Sequence, residues 1–481
     1  MNSTLLSISL TPKTEKLRFG TKLAYGVGEV ASSAVTNIRV FFLLFFLTNV
    51  AGLNATMAGT VLLIGRVWDA VNDPLIGWLS DRTRSRWGKR HPWMVLGAIP
   101  FGIFFFLPWV VPHFSLDFNS NQGSLFWYYV IVALLFDTAY TVVTLPYAAL
   151  APEMTKDYNE RTSLISIQQA FSVGAGIFAL VLAQFIFSMV ADSSSKYLIL
   201  GGVCAGLSVL TIYVCVWGTR QHTSTLSEPQ SKNNRSVALP LWSQIRTVLN
   251  NRAFQLVTGT YVCFWVSVQV SAAVLPYFVV NWMRLPEQHF TQLAIVIQVT
   301  SLSMMFVWGW VSQRIGKKAV YFLGIPVLIV SQTGLFFLQS GQVGLMYCCG
   351  VGIGIGLSIV YLIPWSMLPD VIDLDELESG QRREGLFYGF MVQMQKFGLA
   401  IALFLVGKGL DWAGLIPAVA GKPAPIQPDS ALLAIRLEIG PLPTLALFCG
   451  LVLAYFYPIT REVHAEILLK LREQSDIQSQ E

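Results

Sequence analysis

Charge is what this chain is short of. Only 12% of its 481 residues are Asp, Glu, Lys or Arg, against 54% hydrophobic, and the mean hydropathy is +0.57. Soluble domains carry about 25% charged residues, so the shortage excludes an ordinary soluble module and selects the membrane class. Histidine is scarce as well. His91, His113, His222, His289 and His464 fall in expected loops, turns or the tail, so no metal site is expected. Cys204, Cys215, Cys263, Cys348, Cys349 and Cys449 lie in apolar runs without a CxxC spacing, which reads as packing. The sequence has no nucleophile elbow, HExxH or Walker pattern, so neither an enzyme nor a bound cofactor is expected. Residues 1–20 lack the long apolar core of a cleavable signal, leaving the first hydrophobic segment to serve as its own insertion signal. The net charge of +5 is no argument for nucleic acid, because the basic residues sort by membrane side.

What is present is apolar sequence in lengths that fit a bilayer. Segments of about 20 residues, the hydrocarbon thickness at 1.5 Å per residue, recur twelve times. They lie near 21–48, 56–80, 92–112, 125–151, 163–189, 196–218, 253–280, 289–312, 319–339, 343–368, 386–407 and 438–458, with 431–438 ambiguous. Placing both termini in the cytoplasm puts 24 of the 32 Lys and Arg on that side, with Lys196, Arg284, Lys408, Lys422 and Arg436 outside and Arg39, Arg66 and Lys396 within the membrane. This is the positive-inside signature of an integral, multi-pass protein, expected in the plasma (inner) membrane.

The chain reads as two halves. Residues 1–218 and 253–460 each supply six helices, 219–252 form a polar cytoplasmic linker, and 461–481 a cytoplasmic tail. Helix 4 ends in Leu145-Pro-Tyr-Ala-Ala-Leu-Ala-Pro152-Glu153 and helix 10 in Ile363-Pro-Trp-Ser-Met-Leu-Pro369-Asp370. The turn Asp81-Arg82 to Arg90 after helix 2 has a worn copy, Gln313-Arg314-Ile-Gly-Lys317-Lys318, after helix 8. Parallel repeats of this kind predict the all-α major facilitator fold, whose halves rock about a central site.

A few charges lie deep in the apolar segments: Glu29, Arg39, Arg66, Asp69, Asp73, Asp137 and Lys396. Each such residue at mid-membrane costs about 2.5–3.5 kcal/mol on insertion scales, so a function is the default reading. Arg66, Asp69 and Asp73, at i, i+3 and i+7, share one helical face, as a cation site inside a bundle requires. In helix 4, Asp137, Tyr140, Thr141, Thr144 and Tyr147 form a second stripe. Asp137 reads equally as a structural hydrogen-bonder, Arg39 as a snorkelling side chain, and Gln168 and Gln169 as interhelical bonders.

Together Tyr25-Gly-Val-Gly-Glu29, Arg66-Val-Trp-Asp69-Ala-Val-Asn72-Asp73-Pro74, Arg84-Ser-Arg-Trp-Gly-Lys89 and Lys396 mark a family. The chain resembles, end to end, the glycoside–pentoside–hexuronide:cation symporters, the melibiose-permease type of the major facilitator superfamily. The resemblance implies that Asp69, Asp73, Asn72 and Thr141 bind the coupling cation, Na⁺ with H⁺ or Li⁺ as alternatives. It implies that Glu29 contacts the substrate and that Lys396, with Arg66, couples the two sites. Asp137, Tyr140, Thr144 and Gln169 are the further candidates for the substrate wall. Asp81, Arg82, Arg84, Arg86 and Lys89 read as a conformational latch. Thr144, Ala148 and Gln169 depart from the family's galactoside-binding pattern, so melibiose itself is not expected. A sugar or glycoside is the favoured solute. A lysophospholipid, as in a eukaryotic branch lacking the same helix-4 aspartate, and a non-transporting sensor are the alternatives. The expected partners are the solute, the cation and membrane lipids, and the chain is expected to be monomeric. Gly350, Gly352, Gly354 and Gly356 lack the context of a nucleotide loop and are expected to serve close helix packing.

Overall fold

A computed structural model describes residues 17–83, 85–112, 118–155, 158–190, 192–223, 250–380, 383–417 and 425–478. The regular elements among them are all helical. We number the long helices α1 (Phe19–Asn49), α2 (Ala55–Arg82), α3 (His91–Trp109), α4 (Phe118–Ala148), α5 (Tyr158–Met189) and α6 (Ser193–Thr223). They continue as α7 (Arg252–Trp282), α8 (Glu287–Ile315), α9 (Lys317–Phe337), α10 (Val343–Ser379), α11 (Glu384–Trp412), α12 (Asp429–Tyr455) and α13 (Arg461–Gln478). Of the linker expected at 219–252, residues 224–249 lie outside the described residues.

Eleven helices among the described residues are long and apolar enough to cross a membrane. Helix α2 is not one of them. At 28 residues it is long enough, about 42 Å, but Arg66, Asp69 and Asp73 fall in its middle. Among α1–α12, the helix that fails an apolar criterion is thus the one carrying the acidic stripe. Helix α12 corrects the expected start near 438. It begins after Pro428, runs to Ile439, breaks at Gly440 and resumes at Pro441, so the ambiguous stretch 431–438 is its first segment.

Helices α1–α6 pack mainly on one another, through α1 with α5 and α6, α3 with α4 and α6, and α2 with α4. Helices α7–α12 do likewise, through α7 with α11 and α12 and through α10 with α8 and α9. Two large contacts join the sets, α2 with α11 and α5 with α8, which exchange the second and fifth helices. Gly59 and Gly407 allow the first: a Cβ on Gly59 would lie 3.1 Å from the Leu403 carbonyl oxygen, and one on Gly407 would clash with that of Ala55. The glycines of α10 work as expected. Gly350 and Gly354 leave no room for a Cβ against Leu293 and Thr300 of α8, while Gly352 and Gly356 do the same against Ser331 and Leu328 of α9. Two i, i+4 pairs offset by two residues therefore seat α10 between both neighbours.

The repeat extends to irregularities. Helices α1 and α7 each contain one five-residue π turn, Arg39–Leu43 and Phe278–Trp282. The helix 4 and helix 10 endings that match in sequence also match in contact. Arg90 meets Glu153 at 2.9 Å, and Lys317 meets Asp370 at 2.7 Å.

The two sets are joined most heavily at the end opposite these basic residues. There Tyr277 bonds the Thr48 hydroxyl at 2.6 Å, and Asp411 accepts from Asn54 Nδ2 and Thr56 Oγ1, both at 2.6 Å. Glu287 pairs with Lys196 at 2.7 Å and accepts from the Tyr197 hydroxyl at 3.1 Å. At the basic end, the pairs Lys22–Glu160, Arg90–Glu153, Lys317–Asp370 and Arg383–Asp375 each stay within one set.

Candidate functional site

Helix α2 turns its acidic stripe inward because every alternative faces lipid. Asp69 and Asn72 are fully buried, while Val67 and Val71 on the opposite face are exposed. Trp68 Nε1 donates to Thr138 Oγ1 at 2.9 Å and fixes α2 against α4. Within the stripe Arg66 meets Asp69 Oδ2 at 3.2 Å. Asp73 is held from two sides: Thr141 Oγ1 of α4 donates to Oδ1 at 2.9 Å, and Lys396 of α11 ion-pairs with Oδ2. The four residues expected to hold the cation thus lie on adjacent turns of two helices, with the expected coupling lysine touching one of them.

The donor set suits a hard cation. Asp69 Oδ1 and Asn72 Nδ2 are buried with no hydrogen-bond partner among the described residues. Buried polar atoms are nearly always satisfied, and this carboxylate oxygen has the chemistry to accept a further partner. Rotating the Asn72 amide end for end presents its oxygen, giving two carboxylates, a hydroxyl and an amide carbonyl.

Asp137 and Arg39 form a separate pair. Arg39 opens the π turn of α1, reaches Asp137 Oδ1 at 2.7 Å and lies over the Phe136 ring at 4.3 Å. Its guanidinium is buried in this pair rather than snorkelling. Asp137 Oδ2 has no hydrogen-bond partner among the described residues and leaves no room for a Cβ at Gly65. Arg66 lies within electrostatic reach of both Asp137 and Asp69.

A cavity of about 550 Å³ lies between the two helix sets. Of the residues singled out from sequence, Glu29, Arg66, Tyr140, Gln169 and Lys396 line it; Asp137 and Thr144 do not. Thr144 donates to the Tyr140 carbonyl at 2.8 Å and faces a small separate void beside Met94 and Ile212. Glu29 is already well bonded, accepting from Ser32 at 2.8 Å, Ser33 at 3.1 Å and Gln168 at 2.8 Å. Gln168 therefore acts on Glu29 from behind, while Gln169 meets the cavity.

The cavity also holds residues that the sequence reading passed over. Ser32, Ser33, Thr36 and Asn37 continue the Glu29 face of α1 at i+3, i+4, i+7 and i+8, a stripe legible from the sequence. Gln269, Gln298, Gln332 and Gln395 add amides from four other helices, and Trp265 adds a ring. Asn37 Oδ1 accepts from Gln298 Nε2 at 3.2 Å, bridging α1 and α8. Val40, Phe41, Leu275, Leu357 and Ile439 make another part of the wall apolar.

In the basic turn, Arg82 stacks on Trp78 at 3.9 Å, and Arg86 and Lys89 are exposed. The Asp81 side chain and Arg84 lie outside the described residues. The contact across this turn is made by Arg90, which bonds Glu153 and, at 2.8 Å, the Ser80 hydroxyl.

Known proteins agree with this architecture. The sequence profile of the MFS/sugar transport proteins matches residues 24–461. An uncharacterized symporter of Synechocystis sp., sll1374, is 43% identical over 538 aligned positions, covering 97% of this chain and 98% of that one. The sodium-dependent lysophosphatidylcholine symporter 1 of Gallus gallus is 27% identical, covering 97% and 92%. Among solved structures, the nucleoside transporter NupG superposes with a TM-score of 0.64 at 12% identity, over 91% of this chain and 100% of NupG, a likeness of fold.

Proposed function

The chain belongs to the MFS/sugar transport protein family, an integral multi-pass membrane protein with symporter relatives, and from that premise we propose a cation-coupled sugar or glycoside symporter. It would belong to the glycoside–pentoside–hexuronide group and act in the plasma (inner) membrane. Counting α2 gives twelve spans, with residues 1–218 and 253–460 as the two moving domains and the basic end in the cytoplasm. The contacts gathered at the opposite end support reading this as an inward-facing state.

The observation that carries the reading is the shared Asp73. Its oxygens are divided between Thr141 and Lys396, beside an Asp69 oxygen with no partner and a polar cavity. Na⁺ entering among Asp69, Asn72, Asp73 and Thr141 takes the place of the Lys396 ammonium. The released ammonium already borders the cavity, so filling the cation site changes the charge presented to the solute. Inward Na⁺ movement contributes about 2.3 kcal/mol per 100 mV and about 1.4 kcal/mol per tenfold gradient. H⁺ on a carboxylate would fill the same role with less coordination.

The amides and hydroxyls of the cavity support a hydroxylated solute, and Trp265 supplies a face for a sugar ring. The apolar wall near Phe41 and Leu275 favours a second reading, a lysolipid, which is the cargo in the name of the Gallus gallus relative. Uptake of labelled glycosides and of labelled lysolipids into vesicles containing the protein separates the two, with and without an inward Na⁺ gradient. Gradient-driven accumulation of glycosides alone supports the first reading. Accumulation of lysolipid alone replaces it with the second, and no gradient-driven uptake of either removes both.

A further inference from the structure

One buried acid takes no part in the cation site. Glu438 lies in the first segment of α12, two residues before the break at Gly440, and is only 6% exposed. Its Oε2 has no hydrogen-bond partner and no ion pair involves it among the described residues. The carboxyl rests on α11 at Gly409, where a Cβ would clash with Oε1.

The charged and titratable groups around it are committed elsewhere. On α7, the Tyr277 hydroxyl bonds Thr48 and the Leu44 carbonyl. On α11, Lys408 is exposed and Asp411 is taken by Asn54 and Thr56. On α12 itself, Arg436 donates twice to the Phe336 carbonyl, at 3.0 and 2.6 Å, and stacks on Trp282, while Asp429 opens the helix. The packed part of α9 offers Gln332, Thr333 and Phe336, none ionisable. An ionised carboxylate without a partner in this place is strongly disfavoured, so the packing admits the neutral acid.

The position gives that proton a consequence. Gly407, two residues before Gly409, makes the close contact with Gly59, and Asp411, two residues after, holds Asn54 and Thr56. One turn of α11 therefore rests on Glu438 while making both of its contacts to α2. Ionising Glu438 calls for water between α11 and α12, and water enters only if that turn moves.

We propose that Glu438 is a proton-binding site controlling the outer gate: the protonated acid holds residues 407–411 against α2, and its loss of a proton to outside water releases them. The site is separate from the Asp69–Asp73 cluster and holds whatever the cargo.

The test uses the full chain in lipid nanodiscs, with accessible cysteines replaced and spin labels at Ser195 and Gln342 on the two sides of that end. The wild-type distance distribution is expected to shift to the open form as pH rises, by up to about tenfold in the open-to-closed ratio per pH unit. Glu438→Gln is expected to stay closed throughout. Glu438→Met, neutral and of similar volume, serves if the amide fails to fold. Infrared spectra supply a second readout: the wild type should show a protonated-carboxyl band that is lost in either variant. A variant that titrates like the wild type, a wild type whose distances ignore pH, or an unchanged carboxyl band would each overturn the proposal.

Discussion

Lys396 on α11 and Asp73 on α2 form an ion pair across 323 residues of sequence, and the Thr141 hydroxyl holds the other oxygen of the same carboxylate. In the proposed cation site the lysine thus occupies one place that the cation would take. Replacing it with Met should raise Na⁺ affinity by about tenfold, the equivalent of about 1.4 kcal/mol of removed competition, while solute accumulation collapses. Asp73→Asn should abolish Na⁺ binding. Titration of the purified protein with radiolabelled Na⁺ checks both, and unchanged affinity in both variants would count against the site.

Arg39 and Asp137 supply a test of structure rather than transport. Removing one partner of a buried ion pair costs about 3–5 kcal/mol, because the other charge is stranded. Arg39→Met should therefore lower the melting temperature sharply, and the double change Arg39→Met with Asp137→Leu should recover most of the loss. A double variant as unstable as the single one would mean that Asp137 has work besides neutralising Arg39.

At the end opposite the basic residues, Asp411 accepts hydrogen bonds from Asn54 and Thr56. Hydrogen bonds to charged groups are worth about 1.5–3 kcal/mol each, so Asp411→Ala should shift the population at least about tenfold toward the outward-open form. Faster thiol modification of a cysteine placed at Trp265 or Gln298, by an impermeant reagent added outside, would register the shift.

The α2–α11 crossing depends on two residues without side chains. Gly407→Leu should force the helices apart and cost about 1–3 kcal/mol, with transport lost more completely than folding. Gly344→Leu, at a glycine with nothing within 4 Å of a Cβ, is the control expected to leave both intact.

Fold and site differed in how far the sequence revealed them, for physical reasons. The membrane class was plain because apolar length is a direct demand of the bilayer. The paired endings at Pro152-Glu153 and Pro369-Asp370 marked a repeat that the ion pairs Arg90–Glu153 and Lys317–Asp370 repeat in space. The Arg66–Asp69–Asp73 stripe could be read because i, i+3, i+7 spacing is local to one helix. Partnership between helices is not local. Nothing near Arg39 in sequence pointed to Asp137, and Glu438 looked like the polar end of an ambiguous stretch until α11 lay against it. The break at Gly440 likewise hid the true start of α12, since its first segment holds both Arg436 and Glu438.

Helix α2 has a consequence for how the protein is made. It leaves the ribosome with three charges in its middle, and the arginine among them can answer only one of its two aspartates. The cation that meets Asp73 arrives with α11, after most of the chain has been synthesised. Until then α2 is a poor passenger for the insertion machinery, with α4 and its Thr141 as the main shelter for its acidic stripe. Chains arrested before Lys396 should therefore leave α2 incompletely inserted and open to quality-control proteases. The ion pair between Lys396 and Asp73 would then mark the point at which assembly becomes secure.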